Sequence, residues 1–120
     1  MAVPNKPTIS GILVVDKPVG PTSMQVVANV RRRAHGAKTG HAGTLDPLAS
    51  GVLVLGLGTA TRQLTALTAT DKEYITVIDL SARTAGHDEE SPRQEVRVQR
   101  QPSEKNVISA LDQFRGTIMQ

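Results

Sequence analysis

The stretch GHAGTLDPLASG, residues 40–51, sets one short carboxylate, Asp46, immediately before a proline, with glycines at 40, 43 and 51 and a histidine at 41. Pro47 disfavours the helical region for Asp46 and holds its backbone extended. Gly43 permits a tight bend or a close approach by a ligand. A carboxylate fixed in a loop has the chemistry of a nucleophile, a general base or a metal ligand. The alternative is a plain turn, in which Asp46 caps the next residues through its side chain. His41 suits acid–base work, contact with a phosphate or base, or a hydrogen bond to backbone. The other histidines, His35 and His87, stand at no ligand spacing from it. No second carboxylate lies close to Asp46 and the chain has no cysteine, so a metal site is not expected.

Two further features bear on chemistry. GLGTAT, residues 56–61, follows an apolar run and opens a helical pattern, with Asp79 about twenty residues on, as in a dinucleotide-binding turn. Its third small position is Thr61, and the fingerprint leaves residues 40–51 unused, so the glycines are read as a turn. Tyr74, the only tyrosine, reads as half-buried sheet packing. Beside a catalytic carboxylate it would instead stack on a base.

These residues need elements to hold them. Residues 1–10 read as a loose tail with two prolines. GILVVDKP, residues 11–18, is a β-rich apolar run and predicts a strand. Thr22 with Gln25 three residues on forms a capping box, opening a helix over about residues 23–34 with Val26, Val27, Val30 and Ala34 as its stripe. Arg31, Arg32 and Arg33 fall in its last turns, where cations suit the helix dipole. Residues 35–50 read as loop, 51–58 as a buried strand, and 59–70 as a short helix with Leu64 and Leu67 on one side. Alternation over 72–82 predicts a longer strand, 83–94 a polar loop, and 95–99 another strand. Pro102-Ser103 opens a helix with Val107, Ile108, Leu111 and Phe114 on one stripe, so Phe114 is expected in the core. Gly116 is its stop, and 117–119 reads as the start of a strand. Strands and helices interleave, giving an α+β class: a mixed, mainly antiparallel sheet with helices packed on it.

Composition agrees. The chain has 120 residues, 38% apolar and 21% charged, and a net charge of +3. That size allows one domain at most, and the basic balance favours an anionic partner such as nucleic acid. No apolar run approaches a membrane span, and residues 1–10 lack a secretory apolar region, so a cytoplasmic location is expected.

GILVVDKPVGPTS, KTGHAGTLDPLASGVLVLGLGTATR and DKEY, in this order and spacing, resemble the TruB family of tRNA pseudouridine-55 synthases. The likeness is strong over roughly residues 10–90 and weaker over the helix at 103–116. It implies a pseudouridine synthase-like fold and an enzyme that converts uridine 55 in the TΨC arm of tRNA to pseudouridine, without metal or organic cofactor. It implies that Asp46 is the catalytic aspartate, that Tyr74 packs on the target base, and that His41 touches the RNA and helps hold the flipped conformation. Lys17-Pro18 matches a motif that supports the catalytic loop. Gly43 and Lys72 join these two as supporting or RNA-contacting positions. Lys17, Arg31–Arg33, Lys38, Arg62 and Lys72 are candidate phosphate contacts.

Two positions depart from the family pattern: Leu80 is followed by Ser81 rather than glycine, and Thr84-Ala85-Gly86-His87-Asp88 lacks a second threonine. Residues 11–120 are read as the N-terminal portion of a catalytic domain whose remainder, with a second tyrosine and an arginine that pairs with the aspartate, is absent together with a C-terminal RNA-binding domain. The whole protein is expected to be monomeric, and the 120 residues alone to be inactive and marginally stable. A truncated module that binds RNA or a partner without catalysis is the alternative. Tighter kinship with the stand-alone bacterial enzymes than with the guide-RNA-dependent relatives is read from His41-Ala42-Gly43 and Pro47-Leu48-Ala49.

Overall fold

The apolar run GILVVDK forms strand β1 (Gly11–Lys17), and the second run, GVLVLGL, forms β3 (Gly51–Leu57). They pair antiparallel, with Leu13 opposite Leu55 and Val15 opposite Leu53. These positions share one face of the sheet, and Leu53 and Leu55 are 1% and 0% exposed there. Helix α1 (Ser23–Arg33) covers that face, bringing Val26, Val27 and Val30 onto Leu53 and Leu55. A computed structural model describes residues 8–86 and 91–119. The chain divides into two units, Met1–Glu73 and Tyr74–Gln120. Most of the expected tail, and His87 with Asp88, lie outside the described residues.

Local chemistry sets both ends of α1. Thr22 Oγ1 accepts from the Gln25 amide at 3.1 Å, and Gln25 Oε1 accepts from the Thr22 amide at 2.8 Å, completing the capping box. At the other end His35 takes a left-handed backbone, φ 53°, and the Gly36 amide donates to the Arg31 carbonyl at 2.9 Å. That closure satisfies a terminal carbonyl and reverses the chain.

The reversal carries the chain into strand β2 (Thr39–Ala42), which pairs antiparallel with β3 and completes a sheet of order β1-β3-β2. Residues 35–50 are therefore not all loop, as the sequence suggested. Four residues with a central Gly-His carry no alternation of apolar and polar types, and it is the waiting edge of β3 that makes them a strand. On the opposite face, Gly40 lies across from Gly56. A Cβ at either would stand 3.1 Å from the side chain of Leu64, so the paired glycines form the seat for α2 (Leu64–Thr68). A 3₁₀ turn, Gly58–Gln63, joins β3 to α2. Gly56 and Gly58 thus serve packing and a turn. The rest of that face leaves Val14 and Val52 exposed, at 62% and 70%.

The second unit holds a short antiparallel ladder, β4 (Ala82–Thr84) with β5 (Arg93–Glu95), and α3 (Glu104–Leu111) continued by a 3₁₀ turn to Phe114. Ser103 caps α3, and Gly116 takes φ 78° beyond its end. Several expectations fail here. Residues 72–80 form no strand, because an alternating run becomes one only against a partner ladder and they pair with none among the described residues. Ile75 and Val77 are accordingly 93% and 97% exposed. β4 begins at Ala82, the last residue of the segment read as strand, and runs into the one read as polar loop; β5 comes earlier than expected and ends at Glu95; residues 117–119 form no strand. Phe114 is exposed rather than core, because no apolar layer of described residues covers its stripe. The α+β class and antiparallel pairing are as expected, and no described helix is long and apolar enough to cross a membrane.

Asp79 organises the approach to β4. Its carboxylate accepts from the Ser81 amide at 2.8 Å and the Ser81 hydroxyl at 2.7 Å, and pairs with Arg93 of β5. These bonds, Ser81 foremost, lower its pKa to about 2. A depressed folded pKa gives support that is complete above the unfolded value and lost as pH falls through the folded one. Titrating the carboxyl by NMR should give a midpoint near 2, with the hairpin amides unchanged from pH 7 to about 4. An ordinary carboxyl midpoint would contradict the network. In the first unit, Leu55→Ala should cost about 2–5 kcal/mol in urea unfolding, and Val52→Ala under about 1 kcal/mol.

Candidate functional site

Asp46 sits between two peptides that are fixed from outside the loop. On its N-terminal side, the Leu45 carbonyl accepts from Ser23 Oγ at 2.9 Å, and the Leu45 amide donates to the same oxygen at 2.9 Å. The Leu45 side chain also packs against the core of Leu53, Leu55 and Val27. On its C-terminal side, the Pro47 carbonyl accepts from the Gly20 amide at 2.7 Å and from Lys17 Nζ at 3.5 Å. The Ala49 amide returns to the Asp46 carbonyl at 3.0 Å, closing a turn. Every one of these bonds uses backbone of the loop. Among the described residues the Asp46 carboxylate makes no hydrogen bond or ion pair, and the residue is exposed. The turn is therefore closed by main chain, and the side chain is not spent as a cap.

Lys17 is the structural surprise of the site. It ends β1 on the face covered by α1 and is 0% exposed. Its ammonium donates to the carbonyls of Pro18 at 2.9 Å and Pro21 at 2.8 Å as well as to Pro47. A buried ammonium is tolerated only when its donors are satisfied, and three carbonyls match its three protons. Of the two roles open to Lys17, this placement fits support of the loop and not contact with phosphate. Pro18 contributes its carbonyl to the same cluster.

His41 lies on β2 opposite Leu55, on the sheet face that α1 covers. Its Nδ1 is hydrogen-bonded to the Gly43 carbonyl. With Nδ1–H as donor, Nε2 carries the lone pair, so the ring is oriented and keeps one nitrogen for an outside partner. Gly43 makes this possible with φ 79°, a backbone that places its carbonyl back toward the ring. Lys72 comes alongside, its Cε 3.9 Å from where a Gly43 side chain would start. Its ammonium donates to the carbonyls of Thr68 at 2.6 Å and Thr70 at 2.8 Å, tying off the end of α2.

Loop, histidine and Lys72 stem thus converge on residues 41–47. Tyr74 belongs to the second unit, is 71% exposed and lies in no regular element. Arg31–Arg33, Lys38 and Arg62 are exposed and unpaired among the described residues. No described group of three His, Cys, Asp or Glu side chains is arranged to hold a metal.

Sequence reasoning misses Ser23, Gly20 and Leu45. In the sequence Ser23 reads only as part of a helix start. The signal is two successive hydroxyls, Thr22 and Ser23, where one suffices for a cap.

Residues 31–120 match the TruB family pseudouridylate synthase (N terminal domain). The chain is 45% identical to a tRNA pseudouridine synthase B from Corynebacterium diphtheriae, over 92% of this chain and 38% of that protein. It is 56% identical to one from Leifsonia xyli, over 66% of this chain and 26% of that protein. A solved H/ACA RNP bound to a substrate RNA containing 2'-deoxyuridine shares 51% identity at a TM-score of 0.46, over 48% of this chain and 18% of that one. The chain therefore spans well under half the length of the relatives it matches.

Lys17→Met keeps the buried stem and removes the ammonium. Each carbonyl left without a partner costs about 1–3 kcal/mol, so a marked fall in the urea midpoint should follow. An unchanged midpoint would show that the three-carbonyl contact contributes nothing.

Proposed function

The chain belongs to the TruB family of pseudouridylate synthases, and from that premise we propose that the protein carrying it isomerises uridine 55 in the TΨC arm of tRNA to pseudouridine, with Asp46 as the catalytic carboxylate. One observation carries the reading. Asp46 presents an unengaged carboxylate from a loop whose flanking peptides are bound on both sides. Such a group is positioned to react and is occupied by nothing else in the described protein.

The chemistry follows from the bonds exchanged. The target base leaves its stack at a cost of about a few kcal/mol. Asp46 then attacks the flipped nucleotide, and the bond between N1 of uracil and C1′ of ribose breaks. The freed uracil turns and rejoins through a bond from C5 to C1′, and the bond that Asp46 formed to the nucleotide breaks as the carboxylate is released. C5 loses its proton and N1 gains one, so the product is an isomer and no oxidant, metal or organic cofactor enters. Tyr74 is proposed to stack on the base, whose π-face accepts an aromatic ring whatever its edge. His41, oriented through Nδ1 by Gly43, is proposed to contact the RNA through its other nitrogen and to hold the extruded state. Exposed Arg31–Arg33, Lys38 and Arg62 are candidates for phosphate. The expected setting is the cytoplasm, with tRNA as partner and the whole protein a monomer.

Tritium release from tRNA labelled at C5 of uridine tests this in the protein that carries the chain. Wild type should release one tritium per tRNA, and a transcript with cytidine at position 55 should release none. Asp46→Ala should lower release to background while leaving tRNA binding in place. Full release by Asp46→Ala would remove Asp46 from the chemistry. Salt-dependent tRNA binding with no release by wild type would favour a binding module instead.

A further inference from the structure

Ser23 does something that helix capping does not require. Thr22 already caps α1, through its own hydroxyl and the reciprocal bond from Gln25. Ser23 is the next residue, 2% exposed, and its hydroxyl leaves the helix to bind both polar backbone groups of Leu45, 22 positions away. One oxygen donates to the Leu45 carbonyl and accepts from the Leu45 amide, each at 2.9 Å. The first bond fixes the peptide joining Leu45 to Asp46. The second fixes the peptide before it. Leu45 itself is seated in the core.

On the synthase reading above, we infer that Ser23 is a positioning residue for the reaction: its hydroxyl sets the direction in which the Asp46 side chain leaves the backbone. The logic is geometric. The main chain enters Asp46 through a peptide held by Ser23 and leaves through Pro47, whose ring restricts its own φ and whose carbonyl is held by Gly20 and Lys17. Only the two side-chain torsions of Asp46 stay free. Removing the Lys17 or Gly20 bond loosens the exit and leaves the entry fixed. Removing the Ser23 hydroxyl frees the peptide that carries the Asp46 amide, and no other described bond replaces it. Shifts of about 1 Å in a reacting group lower rates by about 100-fold. The hydroxyl is buried and its bonds go to Leu45, so its loss is expected to leave affinity for RNA unchanged.

The role predicts a split between rate and binding. Ser23→Ala should fold, bind tRNA within about 2-fold of wild type by filter retention, and lose about 10- to 100-fold in single-turnover tritium release. Ser23→Cys keeps the shape with a weaker donor and acceptor, and should fall between the two. A folded Ser23→Ala at wild-type rate overturns the inference while leaving the synthase reading intact. A loss of tRNA affinity that accounts for the whole rate change also overturns it. If Ser23→Ala does not fold, Ser23→Cys carries the test, and a folded Ser23→Cys at wild-type rate overturns the role. Failure of both to fold makes Ser23 a structural residue and ends the claim. Wild type without any tritium release would instead remove the synthase reading, and this role with it.

Discussion

The first unit depends on one buried positive charge. Lys17 is the last residue of β1 and the only buried charged side chain among the described residues. All three of its carbonyl partners belong to prolines. Proline has no N–H to build a ladder and bends the chain away from regular pairing, so segments rich in it need donors from elsewhere. An ammonium on a flexible four-carbon stem offers three protons in three directions. A guanidinium, planar and forked, would not meet three separate carbonyls around a point. The lysine and the prolines thus require one another: the prolines shape the segments at 18–21 and 46–49, and the lysine draws both onto the end of the sheet.

From that contact the rest of the site follows in order. β1 pairs with β3, so Lys17 arrives opposite Gly51, just where the chain leaves the loop. The segment after Lys17 turns at Pro18–Pro21 and enters α1 through the capping box, which places Ser23 beneath Leu45. α1 then returns across the leucine face and ends in a left-handed turn at His35, and β2 pairs on the far side of β3. His41 comes to the same face as Leu55 and meets Gly43 at the start of the loop. The ends of β1 and β2, which share one end of the sheet, and the start of α1 converge on residues 41–47.

Much of this was legible in the sequence, and the reason differs from element to element. β1, α1 and β3 carry their own signals, in apolar runs and a capping box, and they fold where those signals stand. Asp46 stood out as a candidate because Asp-Pro among glycines suits no ordinary helix or strand. β2 was not, because its pairing is written in β3 and not in TGHA. The run at 72–80 failed for the converse reason: its alternation is clear, and it lacks a partner strand among the described residues. Ser23 was hidden because a hydroxyl at a helix start already has an ordinary explanation. Lys17 was visible as a motif, yet its burial was not, since a lysine's place inside depends on carbonyls supplied from positions 21 and 47.

The arrangement divides work between backbone and side chain differently at Asp46 and at Asp79. Donors aimed at the carboxylate itself would also have fixed Asp46, as Ser81 and Arg93 fix Asp79. The consequence for Asp79 is plain, since those donors hold its charge so firmly that its pKa falls to about 2. A carboxylate stabilised like that is a poor base and a reluctant nucleophile, because the same bonds must be given up as the charge moves onto the substrate. At Asp46 the restraint is placed one peptide away on each side. The loop is held by Ser23, Gly20 and Lys17, and the carboxylate itself receives none of their hydrogens. Position is thereby fixed without a hydrogen bond to the carboxylate itself among the described residues. Asp79 and Asp46 show two uses of one side chain: Asp79 binds structure through its oxygens, and Asp46 is held through its neighbouring peptides with its oxygens unengaged among the described residues.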